Sequence, residues 1–319
     1  MAQTRSAADL AAWLEQRQAP ARRYVTAAAV AGTLAGLASI VQLGVMAGIA
    51  YSVLVTRVPA GALFWLTGAG VIAILVRSLA NRWQLRSAAK ASDAVRSNLR
   101  AELLEHWGRL GPLETGATSA GTLASEWFDQ VDALHGYYAR FQPQRVLCIT
   151  VPLMIVAVVL WLDWLAALFL LLSAPLIPLF MALVGMGAEK LNQQHMETLG
   201  RLSGHFLDQV RGLTTLQLFG ATDSATRAIG DITNDYRKIN LKTLRVAFLS
   251  SAVLEFFASV AIAVIAIYIG FGLLGYIDYG PSPDLTLFSG LFILLLAPEF
   301  FQTLRQLAQH YHDRATAPG

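Results

Sequence analysis

Two carboxylates occupy places where a charge is unfavourable. Glu255 interrupts the apolar run Val246–Ile277, and Glu299 interrupts Leu285–Leu304. A carboxylate at the centre of a bilayer costs about 2.5–3.5 kcal/mol on insertion scales, so each must face protein, water or an interface. At a rise of 1.5 Å per residue, Glu255 falls about 33 Å below Ile277 and Glu299 about 21 Å below Leu285. Glu255 is therefore expected at the inner interface, paired with a nearby arginine. Glu299 is deep enough to line a cavity or to make a buried polar contact with a second subunit. Pro298 precedes it and removes a helical hydrogen bond, which makes Glu255, Pro298 and Glu299 the candidate pathway residues. Pro175 and Pro178 take two backbone donors from one turn, so they form a candidate hinge or a packing kink.

Other chemistry is harder to find. No Ser/His/Asp, Cys/His or paired-carboxylate arrangement suggests hydrolytic work, so no catalytic residue is assigned. The six histidines, at 106, 135, 195, 205, 310 and 312, lack metal-ligand spacing, and His310 and His312 point to different helix faces. No metal site is expected. The one cysteine, Cys148, cannot form an intrachain disulfide.

The elements that must hold these residues are six uncharged or nearly uncharged runs. They lie near 24–56, 58–76, 146–162, 164–188, 246–277 and 285–304, and each approaches or exceeds the ~20 residues that cross a hydrocarbon core of ~30 Å. Composition agrees, with 55% hydrophobic and 14% charged residues. All but Arg57 of the 24 lysines and arginines fall on one side if the N-terminus is inside. The opposite loops are short and carry Trp161, Asp163, Trp164, Tyr276, Asp278, Tyr279 and Asp284. The positive-inside rule and the aromatic belt thus predict a multi-pass membrane protein with both termini cytosolic. Arginines placed by topology account for the net charge of +3 and argue against a nucleic-acid partner.

Residues 1–22 are expected to form an interfacial elbow helix, with Ser6 as its cap, Ala7, Leu10, Ala11 and Leu14 at helical spacing, and Pro20 as its stop. Segments 77–145 and 189–245 keep helical periodicity, broken near Gly108–Gly121 and Gly212–Gly220. They read as two long cytosolic hairpins. The fold class is all-α, with residues 23–319 as one transmembrane domain. Gly32, Gly36, Gly44 and Gly48 repeat at four-residue spacing in two pairs, as close helix contact requires.

The hairpin turns resemble a known family. GPLETGATSAGTLASEWFDQVD at Gly111–Asp132 and VRGLTTLQLFGA at Val210–Ala221 are similar to the segments flanking the coupling helices of ATP-binding-cassette exporters. APLIPLFMALVGMG, RLSGHFLD, RVAFLSSAVLEFF and LAPEFFQTLRQL, beginning at Ala174, Arg201, Arg245 and Leu296, narrow the likeness to CydD-type subunits of the CydDC exporters. That resemblance covers essentially the whole chain. It implies that Pro112, Leu113, Leu218, Phe219 and Gly220 couple the membrane domain to a nucleotide-binding domain, in cis or in trans. It implies a heterodimer with a CydC-like subunit in the bacterial inner membrane. It also implies export of cysteine and glutathione, or movement of haem, in support of cytochrome bd assembly.

No GxxxxGK[ST] loop occurs in the 319 residues, so ATP and magnesium are expected in a domain beyond them. The chain is accordingly expected to be a membrane half without its engine, with haem as an alternative cargo or ligand. A different class of reading is a non-transporting assembly or haem-binding factor.

Overall fold

The computed structural model describes residues 17–115, 123–124, 126–175, 210 and 212–316. Most of the expected elbow helix, together with Pro178, His195 and His205, lies outside the described residues. Among the described residues the structure is helix and connecting turns without strands. Five helices among the described residues are long and apolar enough to cross a membrane, and a sixth apolar helix there is shorter. The chain divides into two units, Met1–Ala174 with Val260–Gly319, and Pro175–Ser259.

In the first unit, α1 (Arg22–Leu54) follows a 3-10 turn at Ala19–Ala21. Its buried face is built from Ala28, Ala31, Ala35 and Ala38, which recur every three or four residues. Lipid tails are as apolar as leucine, so helices in a membrane associate by close packing, and small residues permit it. The glycines expected at contacts are placed there. A Cβ on Gly32 would lie 2.7 Å from Leu147, on Gly36 2.7 Å from Val151, on Gly44 3.2 Å from Phe292 and on Gly48 3.2 Å from Leu66.

The second long helix, α2 (Phe64–Thr115), begins six residues later than the apolar run near 58–76 suggests. Pro59 has no N–H to give, and Ala60–Leu63 form a 3-10 turn before the helix starts. The return arm winds as π-helix at Glu126–Gln130, as α3 (Val131–His135), and as π-helix again at Gly136–Phe141. It then continues into α4 (Gln142–Leu162).

Beyond the membrane, water makes apolar burial favourable again. There Val25, Val95, Leu99, Leu134, Tyr137, Tyr138 and Phe141 share one core. Charged pairs tie the outgoing arm to its neighbours. Asp132 accepts from Arg96 at 2.6 Å and from Arg100 at 2.8 Å, and Arg17 pairs with Glu102. The Arg100 guanidinium also lies 5.4 Å from the Trp127 ring centroid. The hydrogen bond from Arg96, with Arg100 alongside, holds the Asp132 carboxyl below its ordinary range.

On the opposite side, Asp163 ends α4 in an extended conformation and caps α5 (Trp164–Ser173). Ala166 N–H donates to Asp163 Oδ1 at 2.9 Å, and the Tyr268 hydroxyl donates to Oδ2 at 2.9 Å. The second unit contains α6 (Leu213–Leu218) and most of α7 (Thr222–Leu273), a helix of 52 residues whose last part belongs to the first unit. The chain then passes a 3-10 turn at Ser282–Asp284 and enters α8 (Leu287–Thr316).

Candidate functional site

The residues expected to couple to a motor fall on two turns. In the first, Gly111 interrupts α2 with φ 75° and ψ 175°, a conformation suited to a residue without Cβ. Pro112 follows directly, where its fixed φ can restart a helix. The side chains of Pro112 and Leu113 lie outside the described part.

The second turn is fully described. Phe219 N–H donates to Thr215 O, and Ala221 N–H reaches back to Leu216 O at 2.8 Å. Gly220, at φ 62°, makes this reversal. A left-handed glycine with a six-to-one hydrogen bond is how a helix is stopped sharply. The stop leaves Leu218 79% and Phe219 82% exposed. A six-residue helix therefore ends in two large apolar side chains with a fixed backbone beneath them.

Within the membrane, Glu299 has a partner from its own chain. Its Oε1 lies 3.5 Å from Arg77 Nη2, and Arg77 Nη1 donates to Gln42 Oε1 at 3.3 Å. Gln42, Arg77 and Glu299 stand twelve or thirteen residues from the outer ends of α1, α2 and α8, or about 18–20 Å down. Three spans thus bring one carboxamide, one guanidinium and one carboxylate to a common depth inside a ~30 Å core. One turn deeper, Thr303 Oγ1 donates to Glu299 O at 3.1 Å, and Gln144 Nε2 of α4 donates to Thr303 O at 3.0 Å.

Glu299 thus has an ion-pair partner within its own chain, and Arg77, which the sequence groups with the segment 77–145, lies within the continuous helix α2. Gln42 is the only carboxamide in the first apolar run, a signal that could have marked it. Nothing in one dimension shows that Gln42, Arg77 and Glu299 share a level.

Pro298 lies within α8 and is exposed. Glu255 is exposed on α7 in the second unit. Pro175 stands two residues past the end of α5, where Ser173 Oγ back-bonds to the carbonyls of Phe169 and Leu170. Such back-bonding often bends a helix. His135 has Nδ1 3.1 Å from Ser92 Oγ. Among the described residues no group of three or more His, Cys, Asp or Glu is placed to hold a metal.

Apolar helices long enough to span a membrane, with α2 and α7 continuing well beyond that length and turns at left-handed glycines beside them, define a polytopic membrane domain of the transporter kind. The chain belongs to the ABC transporter transmembrane region family, whose model matches residues 25–298. It is 39% identical, over 98% of its length, to the glutathione/L-cysteine transport system ATP-binding/permease protein CydD of Escherichia coli. It is 40% identical, over 96% of its length, to the protein of the same name from Haemophilus influenzae. Both alignments cover 53% of the relative, so the chain spans about half the length of these proteins. The CydC protein of Bacillus subtilis is 33% identical over 68% of the chain and 37% of its own length.

Proposed function

We propose that this chain is the membrane half of an ATP-driven exporter that moves glutathione and cysteine across the bacterial inner membrane, with both termini in the cytosol. The observation that carries the proposal is the exposed Leu218–Phe219 pair on the glycine-stopped helix α6. An apolar knob held on a rigid turn can seat in a cleft of a nucleotide-binding domain and transmit its movement. The relatives' names, which join an ATP-binding part to a permease for these two thiols, support the same reading. The likeness to both CydD and CydC proteins supports a heterodimer with a CydC-like subunit.

The intramembrane cluster fits such cargo. Cysteine and glutathione each carry an α-ammonium and an α-carboxylate on one carbon. Arg77 offers a guanidinium that matches a carboxylate, and Glu299 offers an acceptor for an ammonium. In the resting state the two side chains satisfy each other and Gln42 steadies the arginine. Cargo entering the level exchanges one internal ion pair for two external ones. Closure of the nucleotide-binding domains, transmitted through the turns at Gly111–Leu113 and Leu218–Gly220, then rocks the spans and re-forms the internal pair. Nucleotide chemistry lies in that other domain, since these residues hold no phosphate-cradling loop.

The test is ATPase activity of the complete heterodimer in nanodiscs, titrated separately with glutathione, cysteine and haem. Saturable stimulation by the thiols supports the proposal. Stimulation by haem alone, with a ligated-haem spectrum, replaces thiol cargo with haem. Turnover unaffected by any of the three supports a non-transporting assembly factor instead.

A further inference from the structure

A second constellation lies on the membrane surface. Arg23, Tyr24 and Ala27 of α1 face Trp83, Arg86, Ser87 and Lys90 of α2 across a groove of about 460 Å³. Three cations converge there. Arg23 Nη2 donates to the Tyr24 hydroxyl at 2.8 Å, and its guanidinium stands 4.6 Å from the Tyr24 ring centroid. Among the described residues, no carboxylate pairs with Arg23, Arg86 or Lys90. A preference for positive charge on one side explains cations scattered over that surface. It does not explain why three of them, a tryptophan and a tyrosine close on one groove.

Depth identifies the ligand class. Measured from Phe64, Trp83 lies about 28 Å down, Arg86 about 33 Å and Lys90 about 39 Å. With a hydrocarbon core of ~30 Å, the indole sits at its boundary and the cations sit among headgroups. Above them the same face of α2 continues as Leu79, Leu75 and Ile72, which are 67%, 56% and 62% exposed. Positions 72, 75, 79, 83, 86 and 90 follow one another at three- and four-residue steps, so they form a single stripe. That stripe is apolar as far as Trp83 and cationic beyond it, the polarity profile of a phospholipid standing on its anionic head.

We propose that this groove binds the phosphate headgroup of an anionic phospholipid, with Arg23, Arg86 and Lys90 on the phosphate, Trp83 at the glycerol level and an acyl chain along Leu79, Leu75 and Ile72. The proposal needs only that α1 and α2 cross a bilayer. It therefore stands or falls apart from the transport reading.

The experiment is native mass spectrometry of the purified chain released from detergent with phosphatidylglycerol or phosphatidylcholine of identical acyl chains. The expected result is a retained phosphatidylglycerol adduct that the Arg86→Gln/Lys90→Gln variant weakens on the order of ten-fold or more, since each cation near an anionic surface contributes substantially. An Arg86→Lys/Lys90→Arg variant should keep the adduct, and Lys238→Gln/Lys242→Gln on α7 should leave it unchanged. Circular dichroism and size-exclusion profiles check that each variant is folded. Equal retention of the two lipids, or undiminished phosphatidylglycerol in the folded Arg86→Gln/Lys90→Gln variant, overturns the proposal. Displacement of the lipid by millimolar inorganic phosphate makes the groove a site for free anions and overturns the lipid assignment. In the complete heterodimer, cross-linking of a benzophenone at position 83 to the second subunit in place of lipid does so as well.

Discussion

At the scale of single residues, the pair formed by Arg77 and Glu299 supplies the cargo-binding part of the transport proposal. Their side chains are 36% and 29% exposed and 3.5 Å apart, so the pair is accessible enough to open and close enough to re-form. Glu299→Gln keeps hydrogen-bonding capacity and removes the charge. It is expected to lower thiol-stimulated ATPase activity in the complete heterodimer at least several-fold while leaving expression and thermal stability near wild type. Unchanged stimulation would remove Glu299 from the pathway. Asp163 has the opposite character, being 1% exposed and committed to holding structure. Asp163→Ala loses a helix cap, worth about 1 kcal/mol. It also strands the Tyr268 hydroxyl, which adds about 1–3 kcal/mol. A thermal melt in detergent should fall by several degrees, and less for Asp163→Asn. Glu299 was legible in sequence as a charge in an apolar run. Its partner was not, because pairing between residues 77 and 299 depends on how three helices are set in depth. Asp163 reads in sequence as an ordinary acidic loop residue, although its place just before an apolar helix is a cap signal.

At the scale of elements, helix packing is governed by where side chains are missing. A Cβ on Gly36 would meet Val151 Cγ2 at 2.7 Å, and valine is stiff about χ1. Gly36→Val should therefore push α1 from α4 and destabilise by about 1–3 kcal/mol, read as a lowered melting temperature. Gly108→Ala, where a Cβ meets nothing within 4 Å, should be neutral or stabilising by about 0.5–1 kcal/mol. The four-residue glycine spacing in α1 made this packing face readable beforehand. The apolar run near 58–76 does not mark where α2 begins, because hydropathy does not register that Pro59 and a 3-10 turn precede the helix at Phe64. In the hairpin formed by α2 and its return arm, the hydrogen bond from Arg96, with Arg100 alongside, holds the Asp132 carboxyl below the ordinary carboxylate range. A depressed folded-state pKa stabilises above the unfolded value and loses that contribution as pH falls through the folded one. Hydrogen exchange in segments 93–102 and 127–135 should thus be unchanged between pH 5 and 7 and accelerate, beyond its intrinsic pH dependence, only below about pH 4. The effect should be absent in Asp132→Asn.

At the scale of the whole molecule, the chain is a set of long helices whose two ends have different tasks. In the first unit the apolar portions share a polar level at Gln42, Arg77 and Glu299, and Gly111 fixes a turn in α2; in the second unit Gly220 fixes the turn after α6. The all-α class and the membrane location were readable from run length and charge asymmetry, since both follow from the bilayer as solvent. The rigidity of the second turn could be inferred from the glycine at 220. The near-complete exposure of Phe219 required coordinates. The most direct test of the central claim uses inside-out vesicles carrying the complete heterodimer, with ATP hydrolysis and ATP-dependent glutathione uptake measured in the same preparation for wild type and Phe219→Asp. The account predicts that the wild type accumulates glutathione and that the variant hydrolyses ATP without accumulating it. Normal uptake by Phe219→Asp, or no ATP-dependent uptake by an active wild type, would contradict it.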